Sequence, residues 1–125
     1  MFVLREEVLI CSSRNREDAA SASDVTGHNW RVVASVERSS LDEKGRILPE
    51  GKLAQLLWSA VEPLDHRHLD DLEPFAAPPG ATPPRVAQYV YEQLATSLEA
   101  SEVRLSEVSV WTSRTRCTTY RPPCC

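Results

Sequence analysis

Asp65 and His66 stand side by side in Pro63-Leu64-Asp65-His66-Arg67-His68-Leu69-Asp70-Asp71, a stretch holding two of the chain's three histidines. A carboxylate next to an imidazole can orient the ring and raise its basicity, as general acid/base catalysis near neutral pH requires. The same composition also suits a solvated loop that follows a helix. The elements around the pair must therefore decide whether it is placed for chemistry.

Residues 2–11 have a strand pattern, with Val3, Arg5, Glu7 and Leu9 on one face and Leu4, Glu6, Val8 and Ile10 on the other. Residues 12–25 are polar and aperiodic, a long connection of the kind that often carries function. Gly27 allows a turn into a second strand over 29–38, where Trp30, Val32, Ala34 and Val36 alternate with Arg31, Val33, Ser35 and Glu37. A turn with Asp42 and Gly45 follows. Leu53, Leu56, Leu57, Ala60 and Val61 predict a helix over 49–61. Pro63 stops it and delivers the chain to Asp65 and His66.

A proline-rich connector over 74–84 leads to Thr82 as cap and Pro83 as first residue of a second helix, with Val86, Tyr89, Val90, Leu94 and Leu98 along one side. Residues 103–111 and 116–120 predict two closing strands, and the alternation slips near Ser106-Glu107, where a bulge fits. The order strand, strand, helix, helix, strand, strand gives an α+β fold: a four-stranded antiparallel sheet with two helices on one face. Its two free edges favour pairing with copies of the same chain.

With 125 residues, 42% hydrophobic and 26% charged, the chain suits one globular domain, expected over 1–121 with 122–125 as a frayed tail. A net charge of −4 leaves no basic surplus for nucleic acid. No apolar run reaches the roughly 20 residues that span a bilayer. Phe2-Val3-Leu4 runs straight into Arg5, Glu6 and Glu7, without a basic segment ahead of an apolar one, so a cytoplasmic protein is expected. Cys11, Cys117, Cys124 and Cys125 do not make a disulfide framework, and adjacent Cys124 and Cys125 have poor disulfide geometry. A soft-metal site in that tail competes with free thiols, and no C-x-x-C spacing supports it. Cys11 reads as a buried strand residue.

Several segments, taken in order, resemble the 6-pyruvoyl-tetrahydropterin synthase and 6-carboxy-tetrahydropterin synthase family. Gly27-His28-Asn29-Trp30 is similar to its His-Gly-His-Asn-aromatic motif, and Leu41-Asp42 through Gly45 and Ile47-Leu48 to its turn before the first helix. Leu64-Asp65-His66 with Leu69-Asp70 resembles its Leu-Asp-His-x-x-Leu-Asn/Asp signature. Residues 89–94 resemble its second helix, and Val108, Val110, Trp111 and Tyr120 its closing strands. The resemblance spans nearly the whole chain. It implies a tunnelling fold, in which sheets of neighbouring subunits join into a barrel of trimers or hexamers with active sites between subunits.

In that family three histidines hold zinc, a cysteine and an Asp-His pair move protons, and a glutamate anchors the pterin ring. Here the first zinc position falls at Ser13 and the second at Thr26, leaving His28 alone. One imidazole does not make a catalytic zinc site of three protein ligands, so no cofactor and no metal are expected. The thiol has no counterpart, and the glutamate position is Thr112, which cannot grip an aminopyrimidine edge with two oxygens.

Asp65, His66 and His28 remain as candidate catalytic residues, with Thr26, Trp30, Trp111 and Thr112 as candidate substrate contacts. His68 has no family counterpart and reads as solvated. Two readings stay open. One is a divergent, metal-independent lyase, isomerase or cyclase acting on a small metabolite between subunits. The other is a non-catalytic structural or ligand-binding relative, in which Asp65-His66 persists for packing or hydrogen bonding. A zinc-dependent synthase is the weakest reading, because no realignment of three histidines supplies its ligands.

Overall fold

A computed structural model describes residues 1–15 and 25–123, and side chains at all of these except 15 and 25–28. Two long strands, β1 (Phe2–Asn15) and β2 (Val25–Arg38), form an antiparallel pair. Helix α1 (Lys52–Val61) follows, then helical turns at Glu62–Leu64, Leu69–Asp71 and Glu73–Phe75. Helix α2 (Pro83–Leu98) leads into β3 (Arg104–Trp111) and β4 (Cys117–Tyr120). The sheet order is β1-β2-β3-β4, every neighbour antiparallel. The predicted four-stranded sheet with two helices is the fold observed.

Binary patterning explains the layering. Trp30, Val32, Ala34 and Val36 of β2 are fully buried with Ile10 of β1 and Val108 and Val110 of β3. Against them lie Leu53, Leu57 and Val61 of α1, and Val86, Val90, Leu94 and Leu98 of α2, all in one core. Residues four apart on a helix share a stripe, and alternate residues on a strand share a face, so the two periods meet across this layer. Among the described residues the other face of the sheet carries no helix. On it lie exposed Val3, Leu9 and Cys11 of β1 and Arg31 of β2.

The strands run beyond their predicted inner ends, through 12–15 and 25–28. The ladder joins backbones, so polar side chains do not end a strand that still has a partner opposite. Helix α1 begins three residues late, since Gly51 sits at its N-cap with φ 79°, outside helical geometry. Thr82 and Pro83 open α2 as expected. The expected bulge is present: Ser35 pairs with Glu107 and Val36 with Leu105, leaving Ser106 over.

Two side chains organise the proline-rich connector. Arg85 donates to the carbonyls of Pro74, Ala77 and Gly80, and Asp70 Oδ2 accepts from the Ala81 N–H at 3.1 Å. Gly80 has φ 84°, and a Cβ there would lie 2.3 Å from Asp70 Oδ2, so any other residue is strained and must push the Asp70 carboxylate aside. Tyr91 fixes the far side, donating to the Leu105 carbonyl at 2.9 Å and packing edge-to-face on Tyr120. Among the described residues no helix is long and apolar enough to cross a membrane.

Candidate functional site

The turn after α1 lies along the outer edge of β1. Buried Ser12 Oγ donates to the Leu64 carbonyl, which brings Asp65 alongside Cys11. The Cys11 N–H donates to Asp65 Oδ1 at 2.9 Å, and the His66 N–H donates back to the Cys11 carbonyl at 2.6 Å. The Ser13 N–H then donates to the Arg67 carbonyl at 3.0 Å. Residues 64–68 therefore behave as a short extra strand over 11–13, with a parallel bridge between Ser13 and His68. Cys11 and Ser13 direct their backbone groups outward, away from β2. By the alternation of an antiparallel ladder, so do residues 3, 5, 7 and 9.

His66 adopts φ 58°, the one positive φ at a non-glycine residue among those described. Bulky L-residues avoid this region, and here it lies between the His66 N–H bond to the Cys11 carbonyl and the Ser13 N–H bond to the Arg67 carbonyl. The consequence is a close pair: His66 Nδ1 lies 3.0 Å from Asp65 Oδ2. Asp65 is 18% exposed and His66 79% exposed, so the carboxylate is shielded and the ring faces outward. The Cys11 N–H, and then the adjacent imidazole, hold the Asp65 carboxyl below its ordinary pKa of 3.8 against the opposing effect of burial. An ionised carboxylate on Nδ1 favours the proton on that nitrogen and leaves Nε2 as the atom that takes or gives a proton.

His68 departs from the sequence expectation. It is half-buried, with Nδ1 2.9 Å from Ser13 Oγ, rather than solvated. A signal for it exists in the sequence only in retrospect: alternation puts residues 66 and 68 in equivalent positions of an extended segment. The backbone of His28 pairs with Ser12, between the two β1 residues, Cys11 and Ser13, that contact His66 and His68. The side chains of His28 and Thr26 lie outside the described residues.

Trp30 is corrected. It is fully buried beneath the helices, on the opposite face from Trp111, and serves the core rather than a surface pocket. Cys11 is likewise corrected, from buried to exposed, because even-numbered residues of β1 take the inner face. Cys117 is an exposed free thiol, and Cys124 and Cys125 lie outside the described residues.

Trp111 and Thr112 line a shallow concavity of about 410 Å³ on the open face, together with Leu9, Asn29, Arg31 and Arg114. Arg31 and Trp111 also line a neighbouring hollow of about 360 Å³ with Arg5 and Glu7. Leu9 pairs with Arg31 and Arg31 with Trp111, so this row crosses β1, β2 and β3 two pairs below Cys11, on the same face. Within one chain the Asp65-His66 pair, on the segment outside β1, is separated from Trp111 on β3 by three strand spacings, about 14 Å. The structure thus groups Asp65 with His66, and Trp111 with Thr112, but as two separate patches.

The zinc positions implied by the resemblance carry a serine hydroxyl, a threonine hydroxyl and one imidazole. The Ser13 hydroxyl already contacts His68, and this donor set does not fit a catalytic zinc of three protein ligands. Among the described residues no three His, Cys, Asp or Glu side chains are grouped to hold a metal ion.

Comparison with known proteins agrees with the fold. The family model described as 6-pyruvoyl tetrahydropterin synthase matches residues 3–123. The chain is similar to the 6-pyruvoyl tetrahydropterin synthase of Caenorhabditis elegans, with TM-score 0.81 and 19% identity over 98% of this chain and 96% of that one. It is also similar to an uncharacterised protein of Wolinella succinogenes, with TM-score 0.76 and 15% identity over 98% of both chains. Plasmodium vivax 6-pyruvoyl tetrahydropterin synthase gives TM-score 0.74 and 13% identity over 98% of this chain and 99% of that one. No curated protein sequence matches.

Proposed function

This chain belongs to the 6-pyruvoyl tetrahydropterin synthase family, and from that premise we propose a metal-independent lyase, isomerase or cyclase acting on a small metabolite. His66 Nε2 moves the proton, Asp65 orients the ring, and zinc has no part. The observation that supports this reading is the 3.0 Å contact between Asp65 Oδ2 and His66 Nδ1, made while Asp65 is anchored by the Cys11 N–H. A carboxylate held from behind and an imidazole exposed in front is the arrangement a general acid/base needs.

The site is completed by a second copy of the chain, in a trimer or hexamer. With all neighbours antiparallel and four strands in order, β1 and β4 run in opposite directions. An antiparallel joint between the free β1 edge of one copy and β4 of another then sets the 112–116 turn of the second beside residues 65–68 of the first. Such a joint brings together the two patches that one chain keeps about three strand spacings apart.

The test is incubation of the purified protein with a pool of small metabolites, read by mass spectrometry, beside His66→Ala and Asp65→Asn. Depletion of one compound by the wild type alone is expected. Turnover that persists unchanged in His66→Ala rejects the reading.

A specific observation also favours a non-catalytic relative. The bonds from Cys11 and Ser13 to residues 65–68 give Asp65 and His66 a role in closing the β1 edge, whatever else they do. Absence of any turnover, with loss of assembly on Asp65→Ala, would favour that alternative.

A further inference from the structure

We propose that the concavity around Trp111 is a binding site for a small organic anion, a flat conjugated carboxylate. The inference gives a substrate class to the reading above and rests on it only for what happens after binding.

The lining sets the class. Arg31 and Arg114 supply two guanidinium groups, Asn29 an amide, Thr112 a hydroxyl, and Trp111 and Leu9 apolar walls. No carboxylate lines this concavity among the described residues. A neutral or cationic ring would find no acceptor of comparable strength. A carboxylate finds planar donors suited to two-point binding.

Arg31 is set in place before any ligand arrives. Its Nε lies 3.1 Å from Glu7 Oε2, and its guanidinium carbon lies 4.6 Å from the centre of the Trp111 ring. The Glu7 contact is at Nε, and among the described residues neither Nη group has another acceptor. A guanidinium fixed on an aromatic face loses little freedom on binding. A flat conjugated ligand would lie beside Arg31 in the plane of its guanidinium, with its carboxylate facing the Nη groups and Arg114 and its ring over the apolar wall. The volume of about 410 Å³ is within the range of small-molecule sites.

Calorimetry with 2-naphthoate and its neutral isostere 2-naphthamide, on the full chain in its native assembly, tests this. Saturable binding of the acid is expected, with the amide weaker by roughly tenfold or more. Arg114→Gln, an exposed turn position with no ion pair among the described residues, should weaken the acid several-fold and leave the amide unchanged. Raising the salt concentration should weaken only the acid. Equal binding of acid and amide, no saturable binding of either, or an acid affinity indifferent to both Arg31→Gln and Arg114→Gln would overturn the proposal. His66→Ala serves as the separating control, because it should keep naphthoate binding. Failed anion binding alongside His66-dependent turnover would sink this inference and leave the catalytic reading standing.

Discussion

The amide of Cys11 and the carboxylate of Asp65 are joined at 2.9 Å, while the carbonyl of that same cysteine takes the next amide, from His66. One residue of an edge strand therefore fixes both members of the candidate acid/base pair. The pair's geometry depends on the register of β1, 54 positions earlier in the chain.

Asp65 carries a pH consequence. Its folded-state pKa lies below the ordinary 3.8, chiefly through the Cys11 N–H. Its contribution to stability is therefore complete above the ordinary carboxylate value and is lost as pH falls through the lowered one. Urea midpoints measured down the acid limb should show Asp65→Asn flattening the dependence in that window. Asp65→Ala should lower stability at neutral pH more than Asp65→Asn, whose amide oxygen can still accept from Cys11.

The left-handed backbone of His66 separates function from folding. Glycine accepts φ 58° without strain. His66→Gly should thus stay within about 1 kcal/mol of wild type in denaturant titration, since relief of the left-handed conformation offsets loss of the Asp65 contact. It should also lack any turnover the wild type shows. A large loss of stability would mean that the ring is structural.

Two tryptophans on opposite faces of one sheet should respond differently. Trp30→Ala removes a fully buried side chain from the core and should destabilise the protein by about 3–5 kcal/mol. Trp111→Ala gives up the Arg31 contact and little packing, so its effect on stability should be about 1 kcal/mol or less. It should nevertheless abolish naphthoate binding.

Much of this was legible in the residues. Alternation in 30–36 fixed which face of β2 is buried, and the slipped pattern at Ser106-Glu107 marked the bulge. The Leu53-Leu57-Val61 spacing marked α1. Less legible were contacts made by backbone groups or by residues distant in sequence. Nothing in Ser12 or Ser13 announces that the strand continues, because the ladder does not depend on side-chain polarity. Ser13 and His68 lie 55 positions apart, and only the fold brings them together. Trp30 was misread because an aromatic next to a motif residue looks the same in a pocket as in a core. Its strict alternation with Arg31 was the better guide. Arg31 itself belonged to the open face by that alternation, yet its role emerges only with Glu7 and Trp111 in view.

Metal content bears on the proposed chemistry. Protein purified without chelator should carry zinc well below one ion per chain, and chelator should change neither assembly nor turnover. Stoichiometric zinc, lost with activity on chelation, would restore a metal-dependent reaction.

An experimental structure of the assembled protein tests the shared site most directly. His66 of one copy should lie beside the Trp111-Thr112 concavity of another, across a joint between the β1 edge and β4. A monomer in solution, or an assembly in which every His66 faces bulk water away from any neighbouring chain, would contradict it.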